Sequence, residues 1–332
     1  MSPTRARMRC IVSRALALLT ATFILSNSVV AADWTPSKPI RMIVPSTPGA
    51  GADITARLFS ERLAAALGQP VIVDNKGGAG GLVGTDAAAK SAPDGYTLVL
   101  GSDYAFTIYP QLRKPPYDPI KDFEPVGLIA NLPLVLTVNP QRMPAQNVKE
   151  FIALAKASPG KFTIASAGNG SSAHLAAEYF KHQAGIDLLH VPYKGAAESM
   201  TAVLGGQADM LFASPATMLP HLKADKVRAL GVSVARRVAV LPNVPTLIEM
   251  GVPNFDIGIW FGFFYPAHTP KAIVDRVNAE LQKIVEMPEV RARLAEIGYL
   301  PAGGKPDLLS QRLESDTIRF RKLVLDANIK LD

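Results

Sequence analysis

Two glycine-rich turns, one in each half of the chain, carry the residue types and spacing best suited to holding an anion. The first reads Pro48-Gly49-Ala50-Gly51-Ala52-Asp53 and follows the apolar run Ile40-Arg41-Met42-Ile43-Val44. The second reads Ser166-Ala167-Gly168-Asn169-Gly170-Ser171-Ser172, follows Phe162-Thr163-Ile164-Ala165 and precedes His174. Each stands where a strand hands over to a helix. A helix N-terminus presents N–H groups without backbone acceptors and a partial positive charge, which suits a carboxylate or a phosphate. Two such ends facing each other grip one carboxylate from both sides. Asp53 is also a natural N-cap, so capping and ligand contact draw on the same geometry there.

Other chemistries fit these residues less well. Gly49-Ala50-Gly51 and Gly78-Ala79-Gly80 have Ile54 and Val83 where a dinucleotide turn needs its third glycine, and no P-loop sequence occurs. Ser171 and His174 stand three apart at a helix start, the basis of a secreted serine hydrolase as the alternative reading. No third group that would orient the base can be identified, and G-x-S-x-G is absent. His174, His182, His190, His221 and His268 show no metal-ligand spacing, so neither a metal nor a cofactor is expected.

The elements that position the turns alternate. Val71–Val73, Thr97–Leu100, Leu134–Val138, Leu188–Val191, Met210–Phe212 and Ala229–Val232 read as strands. Helices are expected from Asp53 to Leu67, near Gly84 to Lys90, around Glu198–Leu204 and Ala216–Leu222, and from Pro270 towards Glu286. Such alternation implies largely parallel sheets covered on both faces, with ligands at the C-terminal strand ends.

The first 32 residues read as an address. Arg5, Arg7, Arg9 and Arg14 precede an apolar stretch from Ala15 to Leu25, and Ala31-Ala32 marks a cleavage site before Asp33. The single cysteine, Cys10, lies in this leader, so the processed chain would hold no disulfide. The leader also holds four basic residues and no acid, so the formal charge of +7 falls to +3 without it. That balance, with no basic run, argues against nucleic acid.

The ordered motifs carry a resemblance. They include Pro48-Gly49 with Asp53 and Arg57, Asn75 with Gly78-Ala79-Gly80-Gly81, and Asp94-Gly95-Tyr96-Thr97-Leu98. They continue through Ala167–Ser171 with His174, His190-Val191-Pro192-Tyr193-Lys194-Gly195, and Gly205-Gly206-Gln207 with Asp209. Over essentially the whole processed chain the sequence resembles the Bug-type periplasmic solute-binding receptors of tripartite tricarboxylate transporters. The resemblance implies an α/β, type II periplasmic-binding-protein fold: two doubly wound domains, residues 33–132 plus 256–332 and 133–255, hinged at two crossovers around a cleft. It implies a monomeric periplasmic receptor, not an enzyme, that takes a small carboxylate or carboxamide to membrane permease subunits; a receptor feeding a periplasmic sensor is the alternative.

The resemblance places ligand contacts at Ser46, Thr47, Gly49, Ala50, Gly51 and Asp53 on one side. Ser166, Gly168, Asn169, Gly170, Ser171, Ser172 and His174 stand on the other. Tyr104, Tyr193 and Phe261 either line the distal pocket or sit in the core, and Trp260 is a core residue. Asp209 accepts from the ligand or its water, or else ties down a loop. Relatives carry an aromatic residue at Ser46 and a second glycine at Ala50, so Ser46 is expected to widen the cleft mouth. Glu198 is a helix-start acid or a ligand contact.

Overall fold

Apolar runs too short for helices build two sheets, and the chain passes twice between them. The computed structural model describes residues 34–326 and 329; the leader assignment lies outside the described residues. Strands β1 (Ile40–Val44), β2 (Val71–Asn75), β3 (Thr97–Ser102) and β4 (Phe123–Pro133) belong to the first sheet. The second sheet takes β5 (Val135–Val138), β6 (Thr163–Ser166), β7 (Leu189–Pro192), β8 (Met210–Ala213) and β9 (Arg228–Val232). The chain then returns to the first sheet for β10 (Gly258–Pro266) and β11 (Leu300–Pro301). The strand orders are β11-β4-β10-β3-β1-β2 and β7-β6-β8-β5-β9.

The sheets are mixed, which corrects the expectation of largely parallel pairing. β1 is parallel to β2 and β3, and β6 is parallel to β7 and β8. β10 instead runs antiparallel to β3 and β4, and β5 antiparallel to β8 and β9. The antiparallel pairs all involve strands at the passages between sheets. There the chain enters without a βαβ crossover, which is what enforces parallel pairing elsewhere.

Helices cover the sheets: α1 (Gly51–Leu67), α2 (Leu82–Ala89), α3 (Tyr109–Leu112), α4 (Val148–Ala157), α5 (Ser172–Ala184) and α6 (Ala196–Leu204). They continue with α7 (Pro215–Lys223), α8 (Lys271–Glu286), α9 (Pro288–Glu296) and α10 (Pro306–Asp326). In α8 the apolar residues Ile273, Val274, Val277, Leu281, Ile284 and Val285 fall on one stripe, and all are buried. Pro288 ends that run and opens α9.

Each sheet has its own aromatic packing. Phe106, Phe123, Trp260 and Phe264 interlock at the first, and Phe151, Phe180, Phe212 and Phe255 at the second. Each such ring contributes roughly 1.5–3 kcal/mol by leaving water. Among the described residues no helix is long and apolar enough to cross a membrane.

Candidate ligand-binding site

The C-terminal ends of β1 and β6 deliver the two glycine turns to opposite sides of a cavity of about 590 Å³. Gly51, Ala52, Gly80, Tyr104, Phe261 and Tyr299 line it from the first sheet's side. Asn169, Ser171, Ser172, Lys194, Ser214 and Thr217 line it from the second. Leu132, Leu134, Leu211, Phe212 and Ile259 add an apolar wall. Lys194 is the one charged residue of the lining, and its ammonium has no ion pair among the described residues.

The first turn is held from behind by Asp53, which is 3% exposed. Its carboxylate accepts from the Gly49 N–H at 2.8 Å, Arg57 Nε at 3.1 Å and Asn75 Nδ2 at 3.0 Å. Burial alone would raise its pKa, but hydrogen bonds from Arg57, Gly49 and Asn75 and the Arg57 charge outweigh it and hold the carboxyl below its ordinary value. Asp53 thus reaches back to the turn and leaves the N–H groups of Gly51 and Ala52 without backbone acceptors.

The second turn rests on two histidines. Gly168 and Gly170 adopt φ of 115° and 77°, left-handed values that only glycine takes without strain. Ser171 caps α5, its Oγ accepting from the His174 N–H at 3.2 Å. His174 Nδ1 accepts from the Gly170 N–H at 3.0 Å. Its ring stacks on His190 at 3.9 Å, and His190 Nε2 shares a 2.7 Å hydrogen bond with the buried Ser166 hydroxyl. Burial, aided by Lys181, lowers His174 to about 4. His190 is likewise lowered to about 4, by burial first and then by His174. Both imidazoles are therefore neutral supports near neutral pH. The Ser171 hydroxyl faces backbone and not the His174 ring, so the serine and its candidate base are not engaged.

The sides of the cavity touch at Asp103 and Ser172. Ser172 Oγ donates to the Asp103 carboxylate at 3.0 Å, joining the end of β3 to the start of α5. Asp103 is 2% exposed, and its Oδ1 has no partner among the described residues. Burial, with the nearby Asp316 charge, pushes its pKa up to about 7 against the Ser172 and Tyr104 hydrogen bonds and the Arg312 charge.

Of the positions expected from the sequence, Gly51, Tyr104, Asn169, Ser171, Ser172 and Phe261 line the cavity. Thr47, Gly49, Ala50, Asp53, Ser166, Gly168, Gly170 and His174 shape the turns without reaching its wall. Ser46 stands outside the cavity wall, its hydroxyl turned to the Thr47 carbonyl at 3.4 Å. Tyr193, for which pocket and core were both open, is partly buried and packs against the second sheet's core.

Asp209 stands at the other end of its strand from Ala213, where β8 meets the cavity. Its carboxylate takes the Thr163 N–H at 2.8 Å, Thr163 Oγ1 at 2.9 Å and Arg142 Nε at 3.3 Å, so it ties two segments together. Glu198 accepts from the Lys194 N–H at 3.2 Å, the act of a helix-start acid.

Sequence reasoning missed Tyr299, Lys194, Gly80 and Thr217. Only Gly80 and Lys194 lay within quoted motifs. Tyr299 is brought in by α9 and β11 from the far end of the chain.

Two α/β sheets closing on a shared cavity, with anion-ready turns on both sides, define a solute-binding protein. The family model described as tripartite tricarboxylate transporter family receptor matches residues 55–328. BugT of Bordetella pertussis is 35% identical over 307 residues, 91% of this chain and 93% of that protein. The structure of Rhodopseudomonas palustris Rpa4515 with adipate is 32% identical and superposes with a TM-score of 0.79, covering 90% of this chain and 99% of that one. MatC of the same organism, with bound malate, is 31% identical at a TM-score of 0.74, covering 87% and 99%. The chain belongs to the Bug-type receptor family of the tripartite tricarboxylate transporters. Its fold is that of the periplasmic binding proteins, and the family's members bind solutes and are not enzymes.

Proposed function

We propose that this chain is exported to the periplasm, captures a small carboxylated organic solute in the 590 Å³ cavity and passes it to the membrane subunits of its transporter. The observation that carries this reading is the pairing of two helix N-termini across one cavity whose lining has a lysine and no acid. The N–H groups at Gly51–Ala52 and Ser172–Ala173 meet a carboxylate from both sides. Hydrogen bonds to a charged group are worth roughly 1.5–3 kcal/mol each. Three or four, less desolvation and ordering, give about −8 kcal/mol, a micromolar affinity. The volume falls within the roughly 300–1,000 Å³ usual for small-molecule sites. Adipate and malate in the two neighbours are solutes of this class.

In this reading residues 33–132 with 256–332 form one domain and 133–255 the other, and they close about the two crossovers. A thermal-shift screen of the leader-free protein against mono- and dicarboxylates tests it. A solute at 100 times its dissociation constant stabilises by about 2.7 kcal/mol, a clear upward shift. No shift with any carboxylate, together with Ser171-dependent turnover of a chromogenic ester, would replace the receptor by a hydrolase.

A further inference from the structure

Tyr299 stands apart from every group the turns use. It is 7% exposed, yet its hydroxyl has no hydrogen-bond partner among the described residues. The ring is buried while the hydroxyl opens on the cavity, where a solute can supply the partner. The ring is fixed edge-on to Phe261 at 6.2 Å, and the backbone is pinned by the Tyr299 N–H to the Leu294 carbonyl at 2.8 Å. Just before it, Gly298 packs so close to Pro215 that a Cβ there would stand 2.4 Å from the Pro215 Cβ. The hydroxyl lies over the first residue of α1: a Cβ on Gly51 would come within 2.2 Å of the Tyr299 oxygen. Both Gly51 and Tyr299 line the cavity, so the hydroxyl is presented beside the free N–H groups of the first turn.

We infer that Tyr299 is a specificity-determining ligand contact, its hydroxyl donating to the same solute carboxylate that the Gly51–Ala52 N–H groups bind. The inference rests on the receptor reading and extends it to a side chain outside both turns. It also accounts for glycine at position 51, whose φ does not demand one: any side chain there would displace the phenol. Burial holds the phenol up at about 12, so it keeps its proton through the neutral range.

The test uses succinate, malate, adipate and benzoate as probes, with calorimetry on whichever shifts the wild-type melting temperature most. Tyr299→Phe removes only an unpartnered hydroxyl, so the ligand-free variant should melt at or slightly above the wild-type temperature. Its dissociation constant should rise at least tenfold. Gly51→Ala, which pushes the phenol aside, should weaken binding in the same direction. If the wild type binds a probe and Tyr299→Phe binds it equally well, the inference falls while the receptor reading stands. A lower melting temperature with unchanged affinity would mark the hydroxyl as structural and also overturn it. If the wild type binds none of the four and no other carboxylate, the receptor reading itself fails and takes the inference with it.

Discussion

Asp53 and Asp209 are both buried aspartates near glycine turns, and sequence alone gave them similar prospects. What separates them is which end of a strand each occupies. Asp53 follows the C-terminal end of β1, where solutes of such sheets bind, and its three hydrogen bonds shape the turn that lines the cavity. Asp209 precedes β8 and spends its carboxylate on Thr163 and Arg142. A motif records that an acid is needed but not which way it points. Asp53 has a depressed pKa, so its contribution to stability is present above the unfolded value near 3.8 and is lost as pH falls through the lower folded value. Asp53→Asn puts an amide against three donors. At pH 7 urea unfolding should show a loss of about 1.5–3 kcal/mol, the worth of charge-assisted hydrogen bonds. The gap to wild type should narrow below the ordinary aspartate range; a constant gap at every pH would show that charge is not involved.

At the scale of elements, the strands with clear apolar runs and the helices with capped, striped faces were legible. The two strands that bracket the passages between sheets were not. β10 reads Gly-Ile-Trp-Phe-Gly-Phe-Phe-Tyr-Pro and is almost wholly buried between β3 and β4, so it shows no alternation. β4 contains prolines at 125 and 133, residues that ordinarily argue against a long inner strand. Their pairing is irregular, with register shifts at Phe261/Gly262 and Phe263/Phe264. Pairing of this kind depends on partners more than 120 residues apart, which no local window contains. The passages are also tied to each other. Ser233 Oγ accepts the Leu134 N–H at 2.9 Å and donates to the Ile257 carbonyl, and the Ser233 N–H reaches the Leu134 carbonyl at 2.8 Å. Ser233→Ala strands a buried donor and a buried acceptor, so chemical denaturation should report a loss of about 1–3 kcal/mol. An unchanged midpoint would mean the serine bridge adds nothing to the join between the two passages.

For the whole molecule, the contact between the two sides of the cavity makes stability depend on pH in a way no single turn would. Three groups, Asp103 and His174 buried and His190 half-buried, titrate in overlapping windows with opposite signs. His174 and His190 are lowered from 6.5 to about 4, so the stability they carry is full above 6.5 and declines as pH falls towards 4. Asp103 is raised from 3.8 to about 7, so the folded state holds the extra proton. Its contribution is full below 3.8, declines as pH rises through about 7 and is level above. Burial sets the sign, and the groups facing Asp103 do not reverse it: Ser172 from α5 offers one hydrogen bond, while from α10 Asp316 opposes the charge and Arg312 partly offsets that. Arg312 is itself engaged with Asp316 at 2.7 Å. Asp103→Asn keeps an oxygen for the Ser172 hydroxyl and removes the titration. The variant should match wild type near pH 4 and gain on it by up to about 1.4 kcal/mol per pH unit until pH 7. Its own curve should fall more steeply on acidification, because the histidines then act alone. Melting temperatures of both proteins at pH 4, 5.5, 7 and 8 decide the matter. Parallel curves would show that Asp103 stays ionised beside Ser172, and the contact between the two sides would then be an ordinary charge-assisted hydrogen bond.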